Sequence, residues 1–184
     1  MLLKEEKVIS TIEEYECLPE GAKYQFIDQE IIEMPSPNLY HQDIAGNIFT
    51  LLKIYLKTFN LGKIVIAPID VQLNKNNIFQ PDIVFVATAN TNILQKNRIV
   101  GSPDLVVEVL SEGTAYLDYK KKKSVYEAEG VKEYWIVDPE SQSIEIYANT
   151  PEKEFKLFSV YKSDKKFDST IFKDLELKFE EVFG

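Results

Sequence analysis

The chain is poor in the residues that most disulfide and metal sites use, with one cysteine and one histidine among its 184 residues. The single cysteine, Cys17, excludes an intrachain disulfide. With only His41 beside it, a Cys/His zinc site within one chain is excluded as well. Any bound metal must therefore use oxygen ligands, which favours magnesium, manganese or calcium.

The sequence also lacks a long apolar run and a surplus of positive charge. No segment reaches the length of a membrane-spanning helix, and residues 1–9 are charged without the core of a signal peptide. We therefore expect a cytoplasmic protein with no membrane partner. The net charge of −9 disfavours a broad nucleic-acid surface, although it is compatible with a local basic strip or a small phosphate substrate.

The sequence does contain enough apolar material for a packed core. Hydrophobic residues make up 45% of the chain, and the length suits one domain over residues 1–184. Apolar periodicity predicts a mixed α/β domain in which helices flank a central mixed sheet, with an N-terminal helix and hairpin before it. Ser10, followed three residues later by Glu13, is predicted to cap that first helix. The predicted elements are helix 10–18, hairpin 24–34, helix 39–59, strands 63–67, 69–73, 80–86 and 104–110, helix 115–129, strand 131–137 and a meander.

Glu108 is the most informative residue, because it interrupts the apolar run from Asp104 to Leu110. Such a run is typical of a central strand buried on both faces. An ionised carboxylate there is costly unless it is paired or bound to a metal, and the run offers no local partner. The structural alternatives are a strand end facing a wet groove and an ion pair with a remote Arg or Lys. We favour a functional carboxylate.

Asp82 gains meaning from Glu108. Pro81-Asp82 opens the predicted strand that ends at Val86, and alone it could be a plain turn signal. On adjacent central strands, however, Asp82 and Glu108 would repel each other by about 4 kcal/mol at close range and moderate dielectric. A divalent cation bound between them removes that repulsion and uses both as ligands.

A cation for the same site is predicted on the next helix. Asp118, Lys122 and Tyr126 follow one another at intervals of four, so they share one stripe of the helix. One interpretation of Lys122 is a surface ion pair with Asp118. The other is a lysine directed at Asp82 and Glu108. Tyr126 is interpreted as a core residue whose hydroxyl reaches the edge of the site.

Three blocks of the sequence together resemble one family. They are Gln80-Pro81-Asp82, the run DLVVEVLS from Asp104 to Ser111, and the run EYWIVDP from Glu133 to Pro139. With Asp118, Lys122 and Tyr126 between the last two, they resemble a largely uncharacterised restriction-endonuclease family that is expanded in photosynthetic bacteria. That family belongs to the PD-(D/E)XK nuclease superfamily. The resemblance extends from Glu13 to Phe183.

The resemblance implies a restriction-endonuclease-like core and an endonuclease that hydrolyses DNA phosphodiester bonds with magnesium or manganese. It implies Asp82, Glu108 and the backbone carbonyl of Val109 as metal ligands. Superfamily members carry a catalytic lysine two residues after the glutamate, where this chain has Leu110. Lys122 matches the lysine that looks like its substitute in this branch.

The resemblance also suggests accessory residues. His41 would contact phosphate or relay a proton, although a histidine hydrogen-bonded locally at a helix N-terminus is the interpretation we prefer. Asp118 would position Lys122. Gln25 stands where the family commonly has a glutamate, so an additional acidic ligand is not expected there.

Assembly and activity leave alternatives open. Superfamily members often form homodimers, and the aromatic residues of the meander could supply an interface or belong to the core: Tyr147, Phe155, Phe158 and Tyr161. DNA is the partner that the resemblance implies, whereas the acidic charge favours a catalytically degenerate nuclease-fold binding module or a small-phosphoester hydrolase. The sequence does not specify the cleavage site or the biological role.

Overall fold

The structure, a computed structural model, describes residues 9–19, 22–163 and 165–184. Its strands form two mixed sheets, whereas the sequence pattern predicted one central sheet. The five-stranded sheet has the order β2-β1-β5-β4-β7 and the six-stranded sheet the order β11-β10-β9-β8-β6-β3. In chain order the strands are β1 (Tyr24–Ile27), β2 (Glu30–Glu33), β3 (Gly62–Ile66), β4 (Asp70–Asn74), β5 (Asn77–Phe79), β6 (Ile83–Ala87), β7 (Arg98–Val100), β8 (Leu105–Val109), β9 (Glu133–Asp138), β10 (Ser143–Asn149) and β11 (Phe155–Tyr161).

Strand β8 lies inside the six-stranded sheet and is buried along its whole length, as its apolar sequence predicts. It pairs antiparallel with β6 and parallel with β9. Its side chains alternate between two cores. Val107 and Val109 pack with the long helix α2 (Leu39–Phe59), whereas Val106 packs with Tyr126 and the five-stranded sheet. Glu108 shares the face of Val106 and therefore points away from α2.

The N-terminal helix α1 (Ile12–Glu16) is shorter than predicted, and its capping residues are different. The cap is Thr11, whose hydroxyl accepts from the Glu14 N–H at 3.2 Å, while the Glu14 carboxylate accepts from the Thr11 N–H at 2.8 Å. The prediction of Ser10 with Glu13 was therefore wrong by one residue. Both pairs fit the same spacing rule, and the local pattern cannot rank them.

The predicted helix 115–129 is two elements. A π-helical segment, Leu117–Lys122, leads into α3 (Lys123–Glu129), which ends at Gly130 in the left-handed conformation. A 3₁₀ segment, Thr88–Ile93, and a short helix α4 (Phe179–Phe183) complete the helices of the described residues. π-turns inside helices occur frequently at functional sites. Here the turn carries Asp118 and Lys122, both buried.

The aromatic residues of the meander belong mainly to the core. Tyr161 is buried, and Tyr147 and Phe155 are half-buried against the cluster around Tyr134. Phe158 is exposed on β11, which is an edge strand. Of the four residues considered for an interface, only Phe158 offers a large exposed apolar surface. No helix in the described ranges is long and apolar enough to cross a membrane.

Candidate active site

One cavity of about 330 Å³ gathers most of the residues that the sequence singled out. Its lining includes His41, Asp82, Glu108, Val109, Asp118 and Lys122. These residues come from α2, the start of β6, the end of β8 and the π-helical segment. Tyr126 lies behind the cavity wall and reaches the site through Glu108.

Glu108 is held by two donors on one of its oxygens. The Tyr126 hydroxyl donates to Oε1 at 2.8 Å, and Lys122 Nζ lies 3.1 Å from the same atom. Oε2 accepts no hydrogen bond from the described part of the chain, and Glu108 lines the cavity. One carboxylate oxygen is therefore fixed while the other remains available to a ligand.

Burial and charge work against each other at Glu108. Desolvation is the largest effect and raises its pKa, Lys122 lowers it, Asp118 and Asp82 raise it, and together these effects bring the pKa to about 8. Asp118 behaves similarly, because burial raises its pKa and Lys122 lowers it. Asp82, Asp118 and Glu108 place three carboxyl groups beside one ammonium, so the site carries an excess of negative charge once Glu108 has lost its proton. A cation entering the cavity would relieve it.

Lys122 is a buried ammonium between two carboxylates. Its Nζ lies 2.8 Å from Asp118 Oδ1 and 3.1 Å from Glu108 Oε1. Burial alone would lower the pKa of Lys122, but Asp118 and Glu108 raise it above its ordinary value. Lys122 therefore stays protonated at neutral pH. It can donate hydrogen bonds and offset negative charge, but it cannot serve as a general base.

Asp82 joins two strands and a helix. Its Oδ2 accepts from the Val109 N–H at 2.7 Å, which ties the start of β6 to the end of β8. Its Oδ1 lies 3.1 Å from His41 Nε2. Each oxygen keeps a second lone pair that can face the cavity. The backbone of Val109 thus orients Asp82 through its N–H.

His41 connects α2 to the site. Asn38 caps α2 by accepting from the His41 N–H at 2.8 Å, and this bond fixes the first turn. The His41 ring is buried, with Nε2 on Asp82 and Nδ1 3.2 Å from Ser111 Oγ. The backbone N–H of His41 is therefore bonded locally at the helix N-terminus, as the preferred interpretation has it, whereas the ring bonds to residues of distant segments.

Sequence reasoning missed several polar residues that line this cavity, and they are Lys23, Gln42, Ser111 and Thr114. Ser111 could have been found, because it follows β8 at the end of the strand that carries Glu108. Gln25, considered only for the glutamate it replaces, also lines the cavity and is 4% exposed. It belongs to the N-terminal hairpin, and no local pattern places that hairpin against β8.

A magnesium or manganese ion fits the chemistry of these side chains. Within the described residues, no three His, Cys, Asp or Glu side chains cluster closely enough to enclose an ion. Magnesium typically uses one or two carboxylates and keeps several waters, so a site with two carboxylates such as Asp82 and Glu108 is compatible with it. The available Oε2 of Glu108 and the excess negative charge favour such an ion.

The sequence of the chain decides its family. The sequence model of the Uma2 family, described as "Putative restriction endonuclease", matches residues 12–180. The chain belongs to the Uma2 family. Membership supports a nuclease role for the chain. No functionally curated protein matches the chain.

A solved structure shows which fold this Uma2 chain has. It is similar to the crystal structure described as a putative nuclease belonging to DUF820 from Anabaena variabilis, with a TM-score of 0.77 and 20% identity. The similarity covers 94% of this chain and 97% of that one. The fold is therefore restriction-endonuclease-like, with mixed sheets and flanking helices.

Proposed function

We propose that this Uma2 protein is a magnesium-dependent endonuclease that hydrolyses DNA phosphodiester bonds. One observation carries the proposal. Two carboxylates from adjacent strands, Asp82 and Glu108, line one cavity beside a buried, protonated Lys122. Family membership supports nuclease chemistry, and the excess negative charge supports a divalent cation. Manganese has the same ligand preferences and would substitute for magnesium.

Asp82, Glu108 and the Val109 carbonyl would hold the ion. When bound, such an ion lowers the pKa of a water and neutralises charge on the phosphate. Lys122 offsets charge that develops on the phosphate and orients a water through its N–H groups. Asp118 holds Lys122, and His41 with the Val109 N–H holds Asp82. Asp118, His41 and Tyr126 are therefore positioning residues in this proposal.

A metal titration tests the proposal. We expect wild-type protein to bind Mn²⁺ in calorimetry and the Glu108→Ala variant to lose that binding by tenfold or more. Glu112→Ala is the matched control, because Glu112 is an exposed carboxylate in the loop that follows β8. Equal Mn²⁺ affinity in all three proteins would refute the metal site. Plasmid cleavage with Mg²⁺ then reports the nuclease directly.

The acidic surface favours a second candidate, a hydrolase of small phosphoesters. With a net charge of −9, long DNA is repelled by most of the chain, whereas a small diester needs only the cavity. Cleavage of bis(p-nitrophenyl) phosphate without cleavage of plasmid or oligonucleotide would select this candidate. Metal binding with neither activity would select a catalytically degenerate nuclease-fold binding module.

We also propose that the protein acts in the cytoplasm as a homodimer. Leu157 and Phe158 expose large apolar surface on the edge strand β11, which supports an interface between two copies. Sedimentation equilibrium should give twice the mass of 21.2 kDa. Phe158→Lys should shift the protein toward the monomer, and a monomeric wild type would refute the dimer.

A further inference from the structure

The hairpin strand β1 forms one wall of the cavity. Lys23 and Gln25 are two residues apart and share one face, and both line the cavity. The alternate residues Tyr24 and Phe26 pack in a separate cluster with Tyr15. The Lys23 amine and the Gln25 amide therefore line the same cavity as the carboxylates of Asp82 and Glu108.

The amide of Gln25 has a polar atom without a partner. Its Oε1 is buried and accepts no hydrogen bond from the described residues, although the side chain is 4% exposed. Buried polar atoms are almost always paired, so an unpaired one at a cavity wall indicates a partner that enters the cavity. Gln80, which lines the same cavity, shows the ordinary case. Its Nε2 donates to Asp70 Oδ1 at 2.8 Å.

Lys23 is a cation at the cavity that forms no ion pair with a described carboxylate. Lys122 is engaged by Glu108 and Asp118, and the neighbouring Lys121 is paired with Glu30 at 3.6 Å. Lys23 is exposed, and its Nζ is hydrogen-bonded to the Ser36 hydroxyl. No carboxylate of the described chain lies within ion-pairing distance of it. A phosphate at the cavity mouth would find its positive charge there.

The space around this wall limits what can bind. A cavity of about 330 Å³ is close to the size of one nucleotide. An adjoining cavity of about 400 Å³ is lined by two carboxylates, Glu16 and Asp70, and by one cation, Arg98, among the described residues. The described residues that line this second cavity carry no net positive charge for another phosphate. An amide that is 4% exposed also cannot reach the groove edge of a paired base. The base must leave the duplex to meet it.

We propose that β1 is the substrate-recognition wall of the site and that it reads a single unpaired nucleotide. Gln25 accepts a hydrogen bond from the base next to the scissile phosphate, and Lys23 binds the phosphate of that nucleotide. The substrate class is single-stranded or locally unpaired DNA. This inference rests on the proposed nuclease function, and it concerns binding by residues that hold neither the metal nor Lys122.

The variant Gln25→Met tests the inference, because it keeps the length of the side chain and removes both polar atoms. We expect its Tm to equal or exceed that of the wild type, since a buried polar atom without a partner is lost. We expect its Kd for a single-stranded tetranucleotide, measured with Ca²⁺ present, to rise at least tenfold. Where the protein is active, kcat/KM for the tetranucleotide should fall at least tenfold relative to that for bis(p-nitrophenyl) phosphate, which has no base.

Two further variants complete the comparison. Gln80→Met makes the same chemical change at a paired amide and should lower Tm, because it breaks the bond to Asp70. Lys23→Met should raise the Kd and make the slope of log Kd against log salt shallower by about 0.7. The matched control, Lys75→Met, removes an exposed lysine in the turn between β4 and β5 and should change neither.

The outcomes separate this inference from the proposed nuclease. Loss of tetranucleotide binding in Gln25→Met supports recognition even where no substrate is hydrolysed. A wild type that binds the tetranucleotide no better than the matching duplex overturns it, whatever the activity on bis(p-nitrophenyl) phosphate. A lowered Tm in Gln25→Met makes the residue structural. An equal loss on both substrates means that it acts on the cation, and either result overturns the proposal.

Discussion

Removing the Lys122 ammonium should lower the free energy of unfolding, because two buried carboxyl groups lose their counter-ion. Lys122→Met leaves Glu108 and Asp118 buried without the ammonium that lies 3.1 Å and 2.8 Å from them. Breaking a buried ion pair from one side typically costs about 3–5 kcal/mol. Burial already raises the pKa of Glu108 to about 8, so this carboxyl can take up a proton. We therefore expect the lower end of that range, about 3 kcal/mol, at pH 7.

A double-mutant cycle isolates the Glu108–Lys122 term. Glu108→Gln keeps an acceptor for the Tyr126 hydroxyl and leaves Lys122 paired with Asp118, so it should cost about 1–2 kcal/mol. The double variant should cost at least about 1 kcal/mol less than the sum of the two single changes, because residues in contact are not additive. Urea unfolding in the presence of EDTA, followed by circular dichroism, measures all four proteins.

The control and the refuting results are specific. Lys120 is exposed, and Lys120→Met should change the free energy of unfolding by less than about 0.5 kcal/mol. The cost of Lys122→Met should shrink at pH 5.5, where Glu108 and Asp118 are protonated more fully. Strict additivity in the cycle, or a cost for Lys122→Met that does not change with pH, would show that Lys122 is not the counter-ion of these carboxylates.

Three further predictions follow from the structure. Glu133 accepts four hydrogen bonds, one each from Trp135 and Ser169 and two from Thr170. Glu133→Gln would point an amide N–H₂ at some of these donors and should lower the free energy of unfolding in urea by about 1–3 kcal/mol. The control Glu176→Gln changes an exposed carboxylate and should leave that free energy unchanged. A Cβ on Gly62 would collide with the Val86 backbone carbonyl, and Gly62→Ala should therefore lower Tm by several degrees; an unchanged Tm contradicts that packing. The folded chain keeps a proton on Glu108 up to a pKa of about 8, whereas the unfolded chain loses it above a pKa of 4.5. The free energy of unfolding of the metal-free protein, measured relative to that of Glu108→Gln, should therefore fall between pH 4.5 and 8, by at most about 1.4 kcal/mol per pH unit. A rise in this relative free energy would mean that the pKa of Glu108 is lowered, not raised.

The sequence was informative wherever a local pattern has one physical solution. The apolar run around Glu108 favours a buried strand, and a carboxylate inside such a strand needs a partner. The stripe of Asp118, Lys122 and Tyr126 follows from helical spacing, and the structure places Lys122 between Asp118 and Glu108. To decide whether Lys122 forms a surface ion pair or points into the site, one must know how deeply its helical segment is buried. Spacing does not contain that information.

Other features depend on which distant segments meet. Apolar alternation predicts that strands exist, but not that five of them, β1, β2, β4, β5 and β7, form a second sheet. His41 and Asp82 are 41 positions apart, and only the packing of α2 brings the ring to the carboxylate. Gln25 is the extreme case. Its significance is a buried amide oxygen that accepts no hydrogen bond from the residues that the structure describes, and no sequence pattern reveals such an atom.

The segment after β11 has a consequence for how this protein is handled. The Asn47 side chain donates a hydrogen bond to the Val182 carbonyl, and the Tyr40 hydroxyl donates one to the Phe183 carbonyl. Residues 179–184 are therefore attached to α2 by two hydrogen bonds. Tyr40 immediately precedes His41, the residue that steadies Asp82. Trimming these residues, or fusing a bulky tag against them, would therefore disturb the first turn of α2 and, through His41, the position of Asp82.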